Sequence, residues 1–403
     1  MEKYNIIDLF AGCGGLLDGF MRTGKYNPIA SVEWEEKPQQ TMVKRLKTKY
    51  KIEHAEKSTL LFDIQRVDEL FDGYDDPKFG KSEGLTKIIN NRNVDFIIGG
   101  PPCQAYSVAG RIREKNHMKS DYRNYLFEYY LNVVERIKPK LFVFENVPGM
   151  LSAMPDGTPI IDLIRRDISA KGYEIINDIK KYAVIDATQY NVPQKRKRVI
   201  LIGLNKSYFK DKDIQEELKK FYTIILPRYK GEKIINVGEA IGDLPKCMPL
   251  YTNNKPSHTT PKTNITWQIP RYHSLRDVKI FQMLAKDIET GENKYVDSNV
   301  LKDIYNKATG SNTNVHKYHV LKKDEPSTTI LAHLYKDGLR FIHYDSSQAR
   351  SITVREAARL QTFDDDFDFV GSQGDAFKMI GNAVPVKLAE AVANAIVEFM
   401  KEE

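Results

Sequence analysis

Val94-Asp95-Phe96-Ile97-Ile98-Gly99-Gly100-Pro101-Pro102-Cys103-Gln104 decides how this chain folds. Val94, Phe96, Ile97 and Ile98 make the short apolar run of a strand buried on both faces of a parallel sheet. That run passes straight into two glycines and two prolines. Proline fixes its own backbone and keeps the residue before it out of the helical region, so helix is excluded and the turn has few conformations. Cys103 therefore stands on a stiff turn at a strand's carboxyl end, where open α/β sheets do their chemistry. A free cysteine by itself is a small core hydrophobe. Its surroundings in the sequence decide between the two readings.

Outward from this stretch, strand signals recur at 5–10, 29–33 and 141–145. Between 121 and 138, Leu126, Tyr130, Val133 or Val134, and Ile137 repeat at helical spacing, and Pro139 stops the helix. Strand and helix alternating over short connections predict a parallel sheet covered on both faces. Residues 173–184 and 197–204 read as two late strands. After about Lys206 the chain turns rich in Lys, Asn, Thr, His and Tyr, with weak periodicity and one helix expected near 278–285. Periodicity returns at 353–360. The stretch 386–399 puts Leu388, Val392, Ala395, Ile396 and Phe399 on one helical face, which must dock back on the sheet. The expected organisation is a main α/β domain over 1–205, a smaller irregular domain over 206–344 and a return to the main domain over 345–403.

The chain of 403 residues is 41% hydrophobic and 29% charged, the balance of a globular protein of two or three domains or of one with a large insertion. No apolar stretch is read as spanning a bilayer, and the strand-like start leaves no room for a signal peptide. Cys13, Cys103 and Cys247 are widely spaced, without zinc spacing. A reducing cytoplasm, no disulfide and no metal site are expected. The net charge of +7 mildly favours a polyanionic partner.

Asp8-Leu9-Phe10-Ala11-Gly12-Cys13-Gly14-Gly15 closes the first strand. Glycines there let a ligand approach the backbone, but the spacing is GxGG rather than GxGxxG, which disfavours a nicotinamide or flavin dinucleotide. Glu33 ends the second strand, where a ribose diol is gripped in nucleoside-binding folds, and Trp34 offers a face for an adenine. Asp63 and Ile64 could bind an exocyclic amine and flank the base. Each alone reads as a solvated strand end; in this order they favour a nucleoside-type cofactor. Glu145 ends the strand 141–145, within reach of Cys103 if the two strands are neighbours. A thiol and a proton-donating carboxyl make an acid-assisted addition site. In Gln194-Lys195-Arg196-Lys197-Arg198, strand alternation puts Arg196 and Arg198 on one face. Two such arginines suit a phosphate or a planar base edge, or simply a solvated edge strand.

DLFAGCGG, VEWEEK, the Asp63-Ile64 pair, GGPPCQ, FENVPG, QKRKR, TVREAARLQTF and GNAVPV then follow in one order. In them the chain resembles the DNA (cytosine-5) methyltransferases of the bacterial restriction–modification type, from Asp8 to Pro385. The resemblance implies a Rossmann-like seven-stranded S-adenosylmethionine-dependent methyltransferase sheet. It makes 1–205 the catalytic and cofactor-binding domain, 206–344 a smaller, irregular target-recognition domain and 345–403 a return with a docking helix. By motif, Cys103 adds to C6 of a flipped cytosine and Glu145 hydrogen-bonds the ring N3 and exocyclic amine. Arg198 fixes Glu145, and Arg196 contacts the base. S-adenosyl-L-methionine would be held by Phe10, Gly12, Gly14, Glu33, Trp34, Asp63, Ile64, Pro102, Leu126, Asn382 and Val384. Double-stranded DNA would meet Gln104, Ser107, Arg111, Arg113, Lys115 and Arg123 in a clamping loop that also carries Lys119. Arg271, Arg276 and Thr329 are further DNA contacts. Asn253, Asn254, His273, Lys317 and His333 are candidate readers, and Cys247 is structural. The resemblance also implies a cytoplasmic, nucleoid-associated monomer, with no membrane partner, paired with a restriction endonuclease. An RNA-acting relative would carry a smaller segment than 206–344. Intact Cys103, Glu145, Arg196 and Arg198 argue against a relative whose catalysis has decayed.

Overall fold

The computed structural model describes residues 3–102, 125–154, 157–336 and 338–402. They form two compact units. The first comprises Met1–Tyr190, Arg196–Glu232 and Val384–Glu403; the second comprises Asn191–Lys195 and Lys233–Ala383. The main stretch of the second thus starts later and ends later than the 206–344 segment set apart on composition, and the unit includes five residues of the TQYNVPQK stretch.

The first unit is built on a mixed sheet. Its strands are β1 (Tyr4–Leu9), β2 (Tyr26–Glu33), β3 (Thr59–Leu61), β4 (Tyr74–Asp76), β5 (Gly80–Ser82), β6 (Phe96–Gly99), β7 (Leu141–Asn146), β8 (Tyr173–Glu174), β9 (Val184–Asp186) and β10 (Lys197–Asn205). The order is β3-β2-β1-β6-β7-β10-β8, with β9 also on β10, while β4 and β5 pair separately. β1, β2, β3, β6 and β7 are parallel and β10 is antiparallel to β7. β8 and β9 pair with different stretches of β10, at Leu204–Asn205 and at 197–199. Among the described residues, eight strands therefore fill seven positions across the sheet, the Rossmann-like arrangement expected. Strand order reverses beside β1, which lies between β2 and β6. The crevice at such a reversal, outside the strands' carboxyl ends, is where α/β sheets bind ligands.

The central strands follow from their composition. β6 is buried throughout, and β7 is buried apart from Glu145. The helix Leu126–Ile137 buries Leu126, Phe127, Tyr130, Leu131, Val133 and Val134. Its Tyr130 hydroxyl sits 3.3 Å from the Ile97 carbonyl and 2.9 Å from that of Val143, which ties the helix across β6 and β7. Residues 173–184 are not a single strand. Asp178 accepts from the Lys181 amide and starts a helical turn, Ile179–Tyr182, between β8 and β9. The terminal helix Val386–Phe399 packs on the helix Gly15–Arg22, where a Cβ on Gly19 would fall 2.4 Å from that of Ala389. The stretch Gln373–Phe399 is long and apolar enough to cross a membrane by composition, against the expectation from sequence. Yet 72% of its most apolar window is buried, as in the core helix of a globular protein.

One apolar cluster of the second unit is made by Phe281, Leu284, Tyr318 and Ile342, and Val237, Ile241, Ile352, Leu360, Phe367 and Ile380 are buried in that unit as well. The expected helix runs further than 278–285, over Leu275–Thr290, because Ser274 caps it and Gly291 ends it in the left-handed region. A helix over Ser298–Thr309 was not expected; Asp297 caps it and none of its residues is buried. Buried polar groups add to this packing. Arg350 and Glu356, both essentially inaccessible, form a two-pronged pair at 2.7 and 2.6 Å. Gln348 accepts from Arg350 and from the Cys247 amide, and Gln268 links Glu356 to Thr353. A buried network of this kind leaves no apolar periodicity in the sequence.

Candidate active site

The turn after β6 is held from several sides. A Cβ on Gly99 would fall 2.3 Å from the Leu9 carbonyl oxygen, so only glycine lets β6 pass β1 there. A Cβ on Gly100 would fall 2.7 Å from Oε2 of Glu145. Asn146 donates from Nδ2 to the Pro101 carbonyl at 3.2 Å and accepts from the Val147 amide at 2.7 Å. The Gly100-Pro101 backbone is therefore pinned beside the end of β7. Pro102 is half-buried at the limit of the described residues. Cys103, Gln104, Ser107, Arg111, Arg113, Lys115, Lys119 and Arg123 lie outside them.

Glu145 pairs with Arg198, Oε1 to Nε at 2.8 Å, with both side chains nearly buried. Arg196 is buried, and its guanidinium is pushed well down, first by burial and then by the charge of Arg198, with Glu145 opposing. A guanidinium does not give up its proton in a protein. The downward push instead reflects the burial of that charge. Among the described residues, two guanidinium groups and the Glu145 carboxylate meet in this corner. It is suited to an anion or to the acceptor edge of a base.

At the end of β1, Phe10, Gly12 and Gly14 all adopt left-handed backbone, with φ of 56, 56 and 86°. Gly14 opens the helix Gly15–Arg22, and a Cβ on it would press on Met42 at 3.1 Å. The loop wraps onto Glu33. Gly12 N donates to Oε2 at 2.7 Å, and Trp34 N and Glu35 N donate to Oε1 at 2.9 and 2.8 Å. Burial still pushes the Glu33 carboxyl up to about 7. Asp8, one strand over, is 1% exposed, and neither of its oxygens accepts a hydrogen bond among the described residues. Burial, and then Glu33, holds its carboxyl far above the usual carboxylate range. Two buried carboxyls at adjacent strand ends, one of them without a partner, ask for a cation or hydroxyl donors. The Phe62 amide donates to the Glu33 carbonyl at 2.9 Å, which brings Asp63 and buried Ile64 beside that end. Trp34 is 51% exposed, with the Lys78 ammonium 5.6 Å from its ring centre. Leu126 is buried at the head of its helix. Asn382 ends the helix Gln373–Asn382 in the second unit and Val384 belongs to the first, so the cradle above rests on first-unit residues alone.

The candidates placed in the second unit fare differently. His273 is buried, its amide bonded to Ser257, and burial pushes its imidazole down to about 3. That corrects the expectation of a base-reading histidine at this position. Arg271 donates to the Leu334 carbonyl and lies 4.0 Å from the Phe377 ring centre. Arg276 bonds Asp277 and the Ala308 carbonyl. The Thr329 hydroxyl donates to the Lys195 carbonyl at 2.5 Å. Gln194 went unremarked in the sequence. It is inaccessible and spends its amide on Leu360, Gln361 and Ile330 at 2.8 to 2.9 Å. Gly100, Asn146 and Asp8 were likewise quoted only as motif letters; their roles depend on neighbours far away in the chain.

A profile of the family described as C-5 cytosine-specific DNA methylase matches residues 4–398. The chain is 30% identical to the Type II methyltransferase M.Bpa9945I of Bacillus paralicheniformis, over 97% of this chain and 98% of that one. It is 31% identical to the Type II methyltransferase M.DdeI of Desulfomicrobium norvegicum, over 97% and 88%. Among solved structures, a putative DNA modification methyltransferase encoded within an Escherichia coli prophage superposes with a TM-score of 0.62 at 23% identity, over 99% and 100% of the chains. The Schizosaccharomyces pombe Dnmt2 methyltransferase gives 0.55 at 15% identity, over 98% and 99%. At those identities the structural likeness speaks for the fold.

Proposed function

The chain belongs to the C-5 cytosine-specific DNA methylase family, and on that premise we propose that it methylates C5 of a cytosine flipped out of duplex DNA, with S-adenosyl-L-methionine as cofactor. The observation that carries the reading is the Glu145–Arg198 pair, set against the Gly100 backbone two peptide bonds before Pro102.

The residues at the end of β1 fit this cofactor. A sulfonium and an ammonium are cations, a ribose carries hydroxyls, and Asp8 and Glu33 are the buried carboxyls with that demand. Glu33 takes the ribose, the Phe10–Gly14 backbone and Pro102 line the methionine side, and Trp34, Asp63 and Ile64 take the adenine. Leu126 and Val384, also of the first unit, complete the set. When bound, the cofactor supplies an electrophilic methyl group.

Cytosine in a duplex is out of reach, so the base leaves the stack at a cost of a few kcal/mol. Cys103 as thiolate adds to C6 while Glu145 hydrogen-bonds N3 and the exocyclic amine and supports protonation of the ring during attack. Arg198 holds the Glu145 carboxylate in place, and Arg196 contacts the base. The C6–S bond makes C5 an enamine carbon, nucleophilic enough to take the methyl group that the bound cofactor would supply, whose sulfonium would leave as a neutral thioether. Loss of the C5 proton then re-forms the double bond and expels Cys103. The 107–123 loop clamps the duplex through its arginines and lysines. Sequence readout belongs to the 206–344 segment, of which 233–344 lie in the second unit. The enzyme works as a cytoplasmic, nucleoid-associated monomer paired with a restriction endonuclease.

The test is to express the chain in a host lacking cytosine methylation, map 5-methylcytosine in its DNA and tRNA, and repeat with Cys103→Ala. Methylated DNA with wild type and none with the variant is expected. Methylation of tRNA alone would favour the RNA-acting alternative, and none at all would defeat the enzyme reading. A duplex with 5-fluorocytosine at the target should trap wild type covalently, because the final elimination is blocked. Equal trapping by Cys103→Ala would move the nucleophile elsewhere.

A further inference from the structure

We propose that the hairpin 248–259 in the second unit is a base-reading element, with Asn253 and Asn254 as its reading side chains and an adenine as the base they fit; this rests on the DNA-methylating reading above.

The second unit is where polar side chains should meet base edges, yet most candidates there are spent internally. Arg271 and Arg276 satisfy carbonyl and carboxylate acceptors of their own unit, and His273 is buried. Asn253 and Asn254 differ. Both are exposed, and the fold uses only their backbone groups. The Asn254 amide donates to the Thr252 hydroxyl at 3.1 Å, and the Asn253 carbonyl accepts from the Tyr272 hydroxyl at 3.2 Å. Two adjacent carboxamides are left pointing at solvent with full hydrogen-bonding capacity.

The tip that carries them is held firmly. Leu250 N donates to Ser257 O at 2.9 Å and Thr259 N to Met248 O at 2.8 Å, which makes a short antiparallel stem. Ser257 and His258 root the stem. They are almost inaccessible and bonded to each other, to the His273 amide and to the Gln348 carbonyl. Tyr251 and Tyr272 brace the tip from beside it, Tyr251 through Gln282 at 3.0 Å. Ordering already present in the free protein lowers the cost of binding. The chemistry of the tip selects the base. A carboxamide presents a donor and an acceptor side by side, which match N7 and the N6 amine of adenine in the major groove. Lys255, exposed beside the pair with its ammonium 5.4 Å from the Tyr272 ring centre, supplies a cation for a phosphate.

The experiment compares methylation-site profiles of wild type, Asn253→Ala, Asn254→Ala, the two Asn→Asp variants and Lys255→Ala, by 5-methylcytosine sequencing of a methylation-free host. One Asn→Ala variant should relax a position that wild type holds as A·T, with selectivity there falling about 5- to 150-fold. The matching Asn→Asp variant should move preference toward a cytosine, whose N4 amine a carboxylate accepts. Lys255→Ala should lower methylation at all sites alike. Thermal melting should be unchanged throughout, since the tip is exposed. A wild-type site without an A·T position, or an unaltered site in all four asparagine variants, overturns the proposal. A wild type that leaves no 5-methylcytosine overturns the functional reading instead, and the hairpin's role with it.

Discussion

Replacing Gly100 with alanine should damage catalysis while sparing stability. The new Cβ would sit 2.7 Å from Oε2 of Glu145, but 3.6 Å from its carbonyl oxygen and 3.7 Å from its Cβ. Only the carboxylate is in the way. Ordinary contact begins near 3.4 Å, so the carboxylate must move about 0.7 Å, away from a position fixed by its 2.8 Å pair with Arg198. The fold absorbs this by turning one side chain, at about 1 kcal/mol, the low end for an added methyl group in a packed site. Catalysis does not, because misplacing a reacting group by about 1 Å costs about 100-fold; a fall in kcat of about 10- to 100-fold is expected. Gly99→Ala is the control. Its Cβ would meet the Leu9 carbonyl oxygen at 2.3 Å, a backbone atom that cannot turn aside. That variant should lose about 1–3 kcal/mol of stability or more. The assay pairs initial rates of methyl incorporation into a saturating duplex with thermal melting. A Gly100→Ala enzyme with kcat within twofold of wild type, or one that loses activity only as its melting point falls, would refute the reasoning.

Acid should weaken the second unit well above the range where carboxylates titrate. His273 and His343 are buried neutral, with imidazoles pushed down by burial to about 3 and about 4 from 6.5. Below about 6.5 the unfolded chain takes up protons that the folded chain refuses, so stability falls as pH drops from there toward 4. The loss is on the order of 1 kcal/mol per histidine by pH 5.5; urea midpoints that stay level between pH 7 and 5.5 would contradict it. Thiol alkylation of the native protein at pH 8 should label close to one cysteine of the three, Cys103. Burial pushes Cys13 up to about 12 and Cys247 up to about 11, and mass spectrometry finding either modified first would count against that. Binding to duplex DNA should fall steeply with salt, and Arg111→Ala or Arg113→Ala should each reduce the slope of log K against log salt by about 1. Unchanged slopes in filter binding would remove the loop from the phosphate contacts.

The sheet was legible because its central strands carry their burial in their composition. Phe96–Gly99 and Leu141–Phe144 are apolar without interruption, as strands covered on both faces must be. The span 173–184 was misread because one capping carboxylate, Asp178, breaks what looks like a continuous run. The helix Ser298–Thr309 went unseen because it buries no face and so has little pattern to find. Alternation grouped Arg196 with Arg198, but it did not distinguish them; the motif resemblance named Arg198 as the partner of Glu145, and the burial of Arg196 had no sign in the pattern. Asp8 gave no sign of being left without partners, since that is a property of what surrounds it in space. The glycines pressing on Leu9 and Glu145 were legible as turn formers and not as close approaches.

The passage of the chain between its two units bears on how the second unit could be exchanged between relatives by recombination. A graft cut at 233 and 383 follows the unit boundary but leaves Asn191–Lys195 behind in the recipient. Gln194 in that short piece bonds Ile330, Leu360 and Gln361, and the Ser327 carbonyl accepts from Lys195. A donor segment therefore arrives needing a five-residue cognate encoded far upstream of it. Exchange by a single crossover pair is penalised unless that pentapeptide is already shared. Tolerated chimaeras should come from parents alike at 191–195, however different they are within 233–383.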